Sequence, residues 1–416
     1  MKIEVYYYLS DETGEKRRFS VDEFNFRIIN FKIKAIDFLS QPLMVDANTE
    51  VPRIEWKLYE RDLKPEPGVE YNNSVSAPVA VVKNNPLWMT VKYECNGADS
   101  LELFASCDGN HDCPFSHINS ETIVCNGAGE IEMHSIYSSS TVDAYLSHYI
   151  WQITNISYGT TTINQPLFIQ STWHRIYNLY DHPKRYSFNK NFPWIVPLEM
   201  IYTSLEEYPV SNSSSVDDFR EFLTKANYDQ NWYNKNIFFS NKILRKLDYD
   251  PIAYNYVDPT YFFGLHYIHS LKLSNLIRDL KSINSESIKV DCRTFNSLTK
   301  TFAKFLGIDF STFYIWNFTL KFNTYKVLPS NSLNPREFLD LNAHMANYYP
   351  DPWSEEAYIY DSVFKIFNHQ ICDYNTQSDD PNCYKYVLHI EQNEYETTTF
   401  QENVYFIDLI GPAFIK

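Results

Sequence analysis

The stretch Ser287–Asp309, SIKVDCRTFNSLTKTFAKFLGID, holds one cysteine, Cys292, far from every other cysteine in the chain. Asp291 before it is an acceptable helix N-cap, which puts Cys292 at about the first helical position. There the unpaired N–H groups and the helix dipole favour a thiolate over a thiol, and the thiolate is the reactive form. A thiol nucleophile also needs an imidazole to take its proton, and that imidazole needs an acceptor to fix its tautomer. His344 in DLNAHMANYY and Asp361 in EAYIYDSVFKIF follow in an order that supplies both. Such a set performs acyl transfer from an amide through a thioester. A buried, inert cysteine is the other reading of Cys292, and both stay open on these residues alone.

These side chains need a helix and two strands to hold them. Phe295, Leu298, Phe302, Phe305 and Leu306 recur at helical spacing, and Gly307 is a natural stop where the chain turns left-handed. Beyond it STFYIWNFTLKFNTYKVL, EAYIYDSVFKIF, CYKYVLHIEQ and ENVYFIDLI read as strands. Two adjacent antiparallel strands would present His344 and Asp361 to one side, facing a helix tip that carries Cys292. Upstream, SVDDFREFLTKAN has a Ser N-cap candidate and acids in its first turn, and Leu273, Leu276, Ile277 and Leu280 sit at helical spacing. Residues 1 to about 180 are different. Runs such as PVAVVK, WMTVKYEC, SLELFAS, GEIEMHSIY and HYIWQITNIS are short and alternating, separated by Pro, Asn, Asp and Ser. The expected class is therefore α+β, with β-rich, sandwich-like modules over 1–65 and 66–183 ahead of an α+β unit over 184–416.

The words DCRTFNSLTKTFAKFLGIDFSTFYI, NAHMANYY and YIYDSVFKIF together resemble the transglutaminase-like branch of the papain-like cysteine enzymes. The first is similar to that family's Gly-x-Cys-Arg helix, which closes in a Leu-Gly-Ile turn and a strand. The last is similar to its hydrophobic-Asp-Pro-Thr-Phe segment. The resemblance runs from Leu271 to about Phe367. It implies Cys292 as nucleophile, His344 as base and Asp361 as orienting acid, acting on a protein or peptide amide without metal or cofactor. Water as acceptor gives peptidase, amidase or deamidase activity, and an amine gives crosslinking. Val290 stands where the family has glycine, Ala346 where an aromatic follows the histidine, and Ser362 where proline follows the aspartate. These departures leave room for a degenerate scaffold that binds without catalysing, as a secreted or surface protein. The strip FIQSTWHRIYNLYDHPKR is similar to a segment preceding such domains in bacterial secreted or toxin-like proteins. An oxyanion needs two donors. The Cys292 N–H is one, and Asn231 and Trp232 are candidates for the second.

Other features narrow the field. With 36 basic and 52 acidic residues the net charge is −16, and an acidic surface repels phosphate backbones, so nucleic acid is not an expected partner. No apolar run is long enough to span a membrane, and the first residues lack a signal-peptide core. Ten glycines and no glycine-rich loop argue against nucleotide binding, and no Ser sits in a G-x-S-x-G elbow. His266 and His269 form a pair without a third ligand, which reads as structural. Cys95, Cys107, Cys113 and Cys125 cluster, and Cys372 and Cys383 flank a polar loop. Three disulfides plus one free thiol are expected, with nested Cys95–Cys125 and Cys107–Cys113 pairs. A metal held with His111 and His117 is the rival, though the spacing suits zinc poorly. Disulfides without a signal peptide point to export by an unusual route, and the cytoplasm is the alternative.

Overall fold

A computed structural model of the chain describes residues 2–3, 6–10, 16–20, 24–25, 29–46, 48–51, 55–58, 69–71, 74–108, 113–184, 192–208, 210, 214–230, 232, 244–250, 253, 256–262, 266–282, 287–321, 338–349, 358–363, 366–371, 383–384 and 404–405. In several strands, the one carrying His344 among them, the description covers the backbone and not every side chain.

Strands dominate the first half. The short β1 (Lys2–Ile3) pairs with β4 (Phe24–Asn25), and β2 (Tyr6–Ser10) with β3 (Lys16–Ser20). The next strands are β5 (Asn30–Phe38), β6 (Trp56–Leu58), β7 (Val69–Tyr71), β8 (Ser74–Ser76), β9 (Val79–Val82) and β10 (Trp88–Asn96). They are followed by β11 (Ser100–Cys107), β12 (His117–Val124), β13 (Gly127–His134), β14 (Ala144–Tyr158), β15 (Thr161–Ile163) and β16 (Leu167–Leu179). One sheet runs β13-β10-β5-β6-β8-β7 and the other β12-β11-β14-β16-β9, with β15 folded back on β14. Along β10, and along β14 as far as Ile153, every second residue is buried, the pattern of strands with one face on a core and one outward. Ile33, Ile36, Trp56, Val91, Leu103, Trp151 and Ile153 fill the space between the two sheets. β5 pairs with β10, which brings residues 30–38 into the same sheet as 88–96.

Two disulfides staple this part, Cys95–Cys125 and Cys107–Cys113. The nested pairing expected from the sequence is present, and the metal reading gives way because the four thiols bond to one another. His117 Nδ1 instead lies 3.0 Å from Ser116 Oγ. His111 and Cys372 lie outside the described residues, and only the backbone of Cys383 is described. No cluster of three or more metal-type ligands occurs among the described residues.

β9 is buried along its whole length, and it runs parallel to β16. Val79 and Val81 join the sandwich core, whereas Ala80 joins a second core with Tyr177 and Leu179 of β16. That second core takes in α1 (Ile195–Leu205), a helix absent from the sequence expectations. Nearly every α1 residue is buried, so the apolar stripe that betrays an amphipathic helix does not exist in it. Pro197 falls in the first turn, where a missing N–H costs nothing. Buried Glu199 accepts from Arg175 Nε (3.1 Å), Arg175 Nη2 (3.2 Å) and the Tyr177 hydroxyl, which fixes α1 to β16.

α2 (Val216–Asp229) starts at a capping box, Ser215 with Asp218. Then come β17 (Leu247–Tyr249), β18 (Val257–Phe262), β19 (His266–Leu271), α3 (Leu273–Leu280), β20 (Ile288–Val290) and α4 (Cys292–Phe305). His266 and His269 thus lie on a strand. The last sheet is β25-β24-β23-β22-β21-β26, from β21 (Ser311–Lys321), β22 (Phe338–Tyr349), β23 (Tyr358–Asp361), β24 (Ile366–Ile371), β25 (Cys383–Tyr384) and β26 (Val404–Tyr405). The strand-rich chain with four described helices is compatible with a β-rich α+β fold. No described helix is long and apolar enough to cross a membrane.

Candidate active site

Cys292 is the first residue of α4 and is 7% exposed. The Asp291 side chain accepts from the Thr294 N–H and the Thr294 hydroxyl, both at 3.0 Å, and caps the helix. Its other oxygen meets Arg293 Nε at 2.5 Å. The buried carboxylate beside the thiol is therefore neutralised by a cation on the same turn. β20 leads into this cap and pairs in parallel with β17, Tyr249 opposite Val290. Val290 is fully buried in that strand. A β-branched residue suits an extended, packed position, which accounts for valine where the resembled family has glycine.

α4 ends as its sequence requires. Gly307 follows with φ +86°, and its Cα lies so close to Asp181 that a Cβ would meet the Asp181 carbonyl carbon at 2.5 Å. α2 lies antiparallel to α4: Arg220 Nε donates to the Asp309 carbonyl (3.0 Å), and Asn227 Nδ2 to the Phe295 carbonyl (2.9 Å) and the Thr299 hydroxyl (2.8 Å). The end of α2 is thus near the start of α4. Trp232 follows that end, is 1% exposed and has an indole N–H without a hydrogen-bond partner among the described residues. Gln230, two residues before it, bonds through Nε2 to the Leu247 carbonyl (2.6 Å) in β17, the strand that pairs with β20. Asn231 lies outside the described residues.

The sheet brings the other two residues into the same region. β22 and β23 are adjacent and antiparallel, with Asn347 opposite Tyr360. His344 lies in β22 opposite Ile315 of β21, and its side chain is outside the described residues. Asp361 ends β23 and is fully buried, and its Oδ1 accepts from the Val363 N–H at 2.9 Å. A carboxylate with no water around it must be held by donors, and one of these comes from α4. Asn296 Nδ2 is 3.4 Å from Asp361 Oδ1, 3.1 Å from the Cys292 carbonyl and 2.6 Å from the Met345 carbonyl. The structure therefore joins the Cys292 turn, the strand residue after His344 and the Asp361 carboxyl through one side chain.

A polar seam continues from Asn296 along the contact between α4 and the sheet. Thr299 Oγ1 is 2.8 Å from Ser362 Oγ, Asn347 Nδ2 donates to the Asn296 carbonyl (3.0 Å), and Lys300 Nζ donates to Thr312 Oγ1 (3.0 Å). Sequence reasoning followed the apolar stripe of α4 and passed over Asn296, Thr299 and Lys300. Their spacing on one helical face was the available signal.

No protein-family model matches the chain, and no curated protein matches it. Among solved structures the match is distant. A red sea bream transglutaminase is a weak structural neighbour, with a TM-score of 0.34 and 11% identity over 71% of this chain. The match covers 52% of that transglutaminase, so the chain spans about half its length.

Proposed function

We propose that residues 184–416 form a cysteine-dependent acyl-transfer domain in which Cys292 attacks an amide, His344 takes the thiol proton and Asp361 orients the imidazole. The substrate class is a protein or peptide amide. The thiolate adds to the carbonyl carbon, the amine leaves with the proton from the imidazole, and the thioester is released to water or to a second amine. The observation that carries this reading is the meeting of three elements at one place: the capped start of α4 at Cys292, the β22 backbone beside His344, and the buried carboxyl of Asp361. The indole N–H of Trp232, without a partner among the described residues and past the α2 end that packs by the α4 start, supports it as second oxyanion donor beside the Cys292 N–H.

The burial of Cys292 favours a second reading, a non-catalytic binding protein with a degenerate scaffold. Iodoacetamide labelling separates the two. Under the enzyme reading Cys292 reacts faster at near-neutral pH than a small free thiol, and His344→Ala slows it. A Cys292 that reacts only after denaturation sinks the enzyme reading. The two disulfides fit an oxidising compartment, and we assign the chain to the secreted class on that ground, with bacterial effector proteins as the setting its sequence resembles.

A further inference from the structure

We infer that Asn296 is a positioning residue that sets the relation between nucleophile and acid, an inference that rests on the proposed cysteine chemistry. Asn296 is fully buried one helical turn after Cys292. Its amide group meets partners on both sides. Nδ2 faces three oxygens: the Met345 carbonyl at 2.6 Å, the Cys292 carbonyl at 3.1 Å and Asp361 Oδ1 at 3.4 Å. Oδ1 accepts from the Ser362 N–H at 3.3 Å and the Ser362 hydroxyl at 3.2 Å. Only this orientation of the amide satisfies the set, because three acceptors need a donor and the Ser362 N–H needs an acceptor.

The consequence is geometric and electrostatic. Cys292 sits on a helix and Asp361 on a strand end, and no covalent feature fixes their spacing. A helix can slide or rotate on a sheet by small amounts when its contact is apolar, since apolar packing is not directional. Hydrogen bonds are directional, and one side chain that bonds to both partners and to the strand between them removes that freedom. Its donor also places positive potential beside the Asp361 carboxylate, which accepts from the Val363 N–H on the same oxygen. Thr299, one turn further along, belongs to the same polar seam but bonds to Ser362, Asn227 and its own helix. It is a matched control, since its loss costs a similar amount of buried bonding without touching Cys292 or Asp361.

The test measures the iodoacetamide alkylation rate of Cys292, located by peptide mapping, from pH 5 to 9 in the full chain. Asn296→Asp, nearly isosteric, removes the donor and sets a second carboxyl beside Asp361. The expected result is a rate about tenfold lower at pH 7 and a profile midpoint raised by about one unit. Thr299→Val is expected to lower the melting temperature and leave that midpoint in place. A folded Asn296→Asp with an unaltered profile overturns the inference while the cysteine reading stands, as does a Thr299→Val that moves the midpoint equally. An unsubstituted Cys292 no faster than a free thiol removes both. If Asn296→Asp fails to fold, the unsubstituted chain decides: the Asn296 side-chain amide signals in a 15N spectrum should titrate with the midpoint of the alkylation rate. Flat signals overturn the inference.

Discussion

The side-chain amide of Asn296 donates to the Met345 carbonyl at 2.6 Å, across the boundary between helix α4 and strand β22. Both groups are buried, so water does not compete, and the strand residue next to His344 is tied to the helix that begins at Cys292. A candidate site held together across elements in this way gives definite expectations.

Removal of the thiol or of its proposed base should separate chemistry from folding. Cys292→Ala should abolish amide cleavage or crosslinking, and His344→Ala should lower the rate by about 10⁴-fold, with melting temperatures near that of the parent chain. The readout is ammonia or amine release from a glutamine- or peptide-containing substrate. Wild-type turnover in the Cys292→Ala chain would remove the cysteine from the reaction.

Trp232→Phe should act on the transition state alone. An aromatic ring is kept, smaller than the indole, and the indole N–H is lost. A fall in kcat of about 10²-fold, with KM and the alkylation rate of Cys292 little changed, is expected for an oxyanion donor. An equal effect on alkylation would mean that Trp232 supports the fold of the site instead.

Glu55 should make the stability of the sandwich depend on pH. It is 5% exposed, and burial pushes its carboxyl up to about 8, against donors from Phe38 N–H (2.9 Å) and Ser40 Oγ (3.2 Å). The folded state holds a proton that the unfolded state gives up near pH 4.5. Stability is therefore greatest below that point and falls as pH rises towards about 8. Glu55→Gln should flatten this slope, with a gain at pH 8 of up to about 4 kcal/mol. Denaturant midpoints at pH 5 and pH 8 for both chains measure it, and equal slopes would show that Glu55 ionises elsewhere on the scale.

The two disulfides should differ in worth. Cys95–Cys125 closes a loop with a sequence separation of 30 and Cys107–Cys113 one of 6. A longer loop loses more entropy in the unfolded chain when it is closed. Replacing the first pair by serines should cost about 2–4 kcal/mol, and replacing the second pair less. Urea midpoints of the two variants compare them directly.

Gly307→Ala should be costly beyond its size. The left-handed φ of +86° strains any side chain, and a Cβ would press on the Asp181 backbone. A loss of about 1–3 kcal/mol is expected, with α4 the element affected, since the Asp181 N–H bonds to the Leu306 carbonyl at 2.9 Å. Urea unfolding followed by circular dichroism reads it.

Much of the local structure was determined by the sequence. Asp291 caps α4, Ser215 and Asp218 box the start of α2, Leu273, Leu276, Ile277 and Leu280 face inward on α3, and Gly307 ends α4. Each of these depends on residues within about two turns of one another, so pattern and capping suffice. The alternation of β10 and β14 announced a face turned to a core for the same reason. Helix α1 escaped because a helix buried on all sides carries no stripe. The pairing of β5 with β10, the antiparallel contact of α2 with α4, and the bonds from Asn296 to Met345 and Asp361 were decided only by tertiary structure. Those partners lie far apart in the chain, and a buried polar group must find whichever acceptor the packing brings to it. The residue types at Cys292, His344 and Asp361 suggest a chemistry. What could hold a helix start and a strand end in register is a buried amide whose partners no local pattern names.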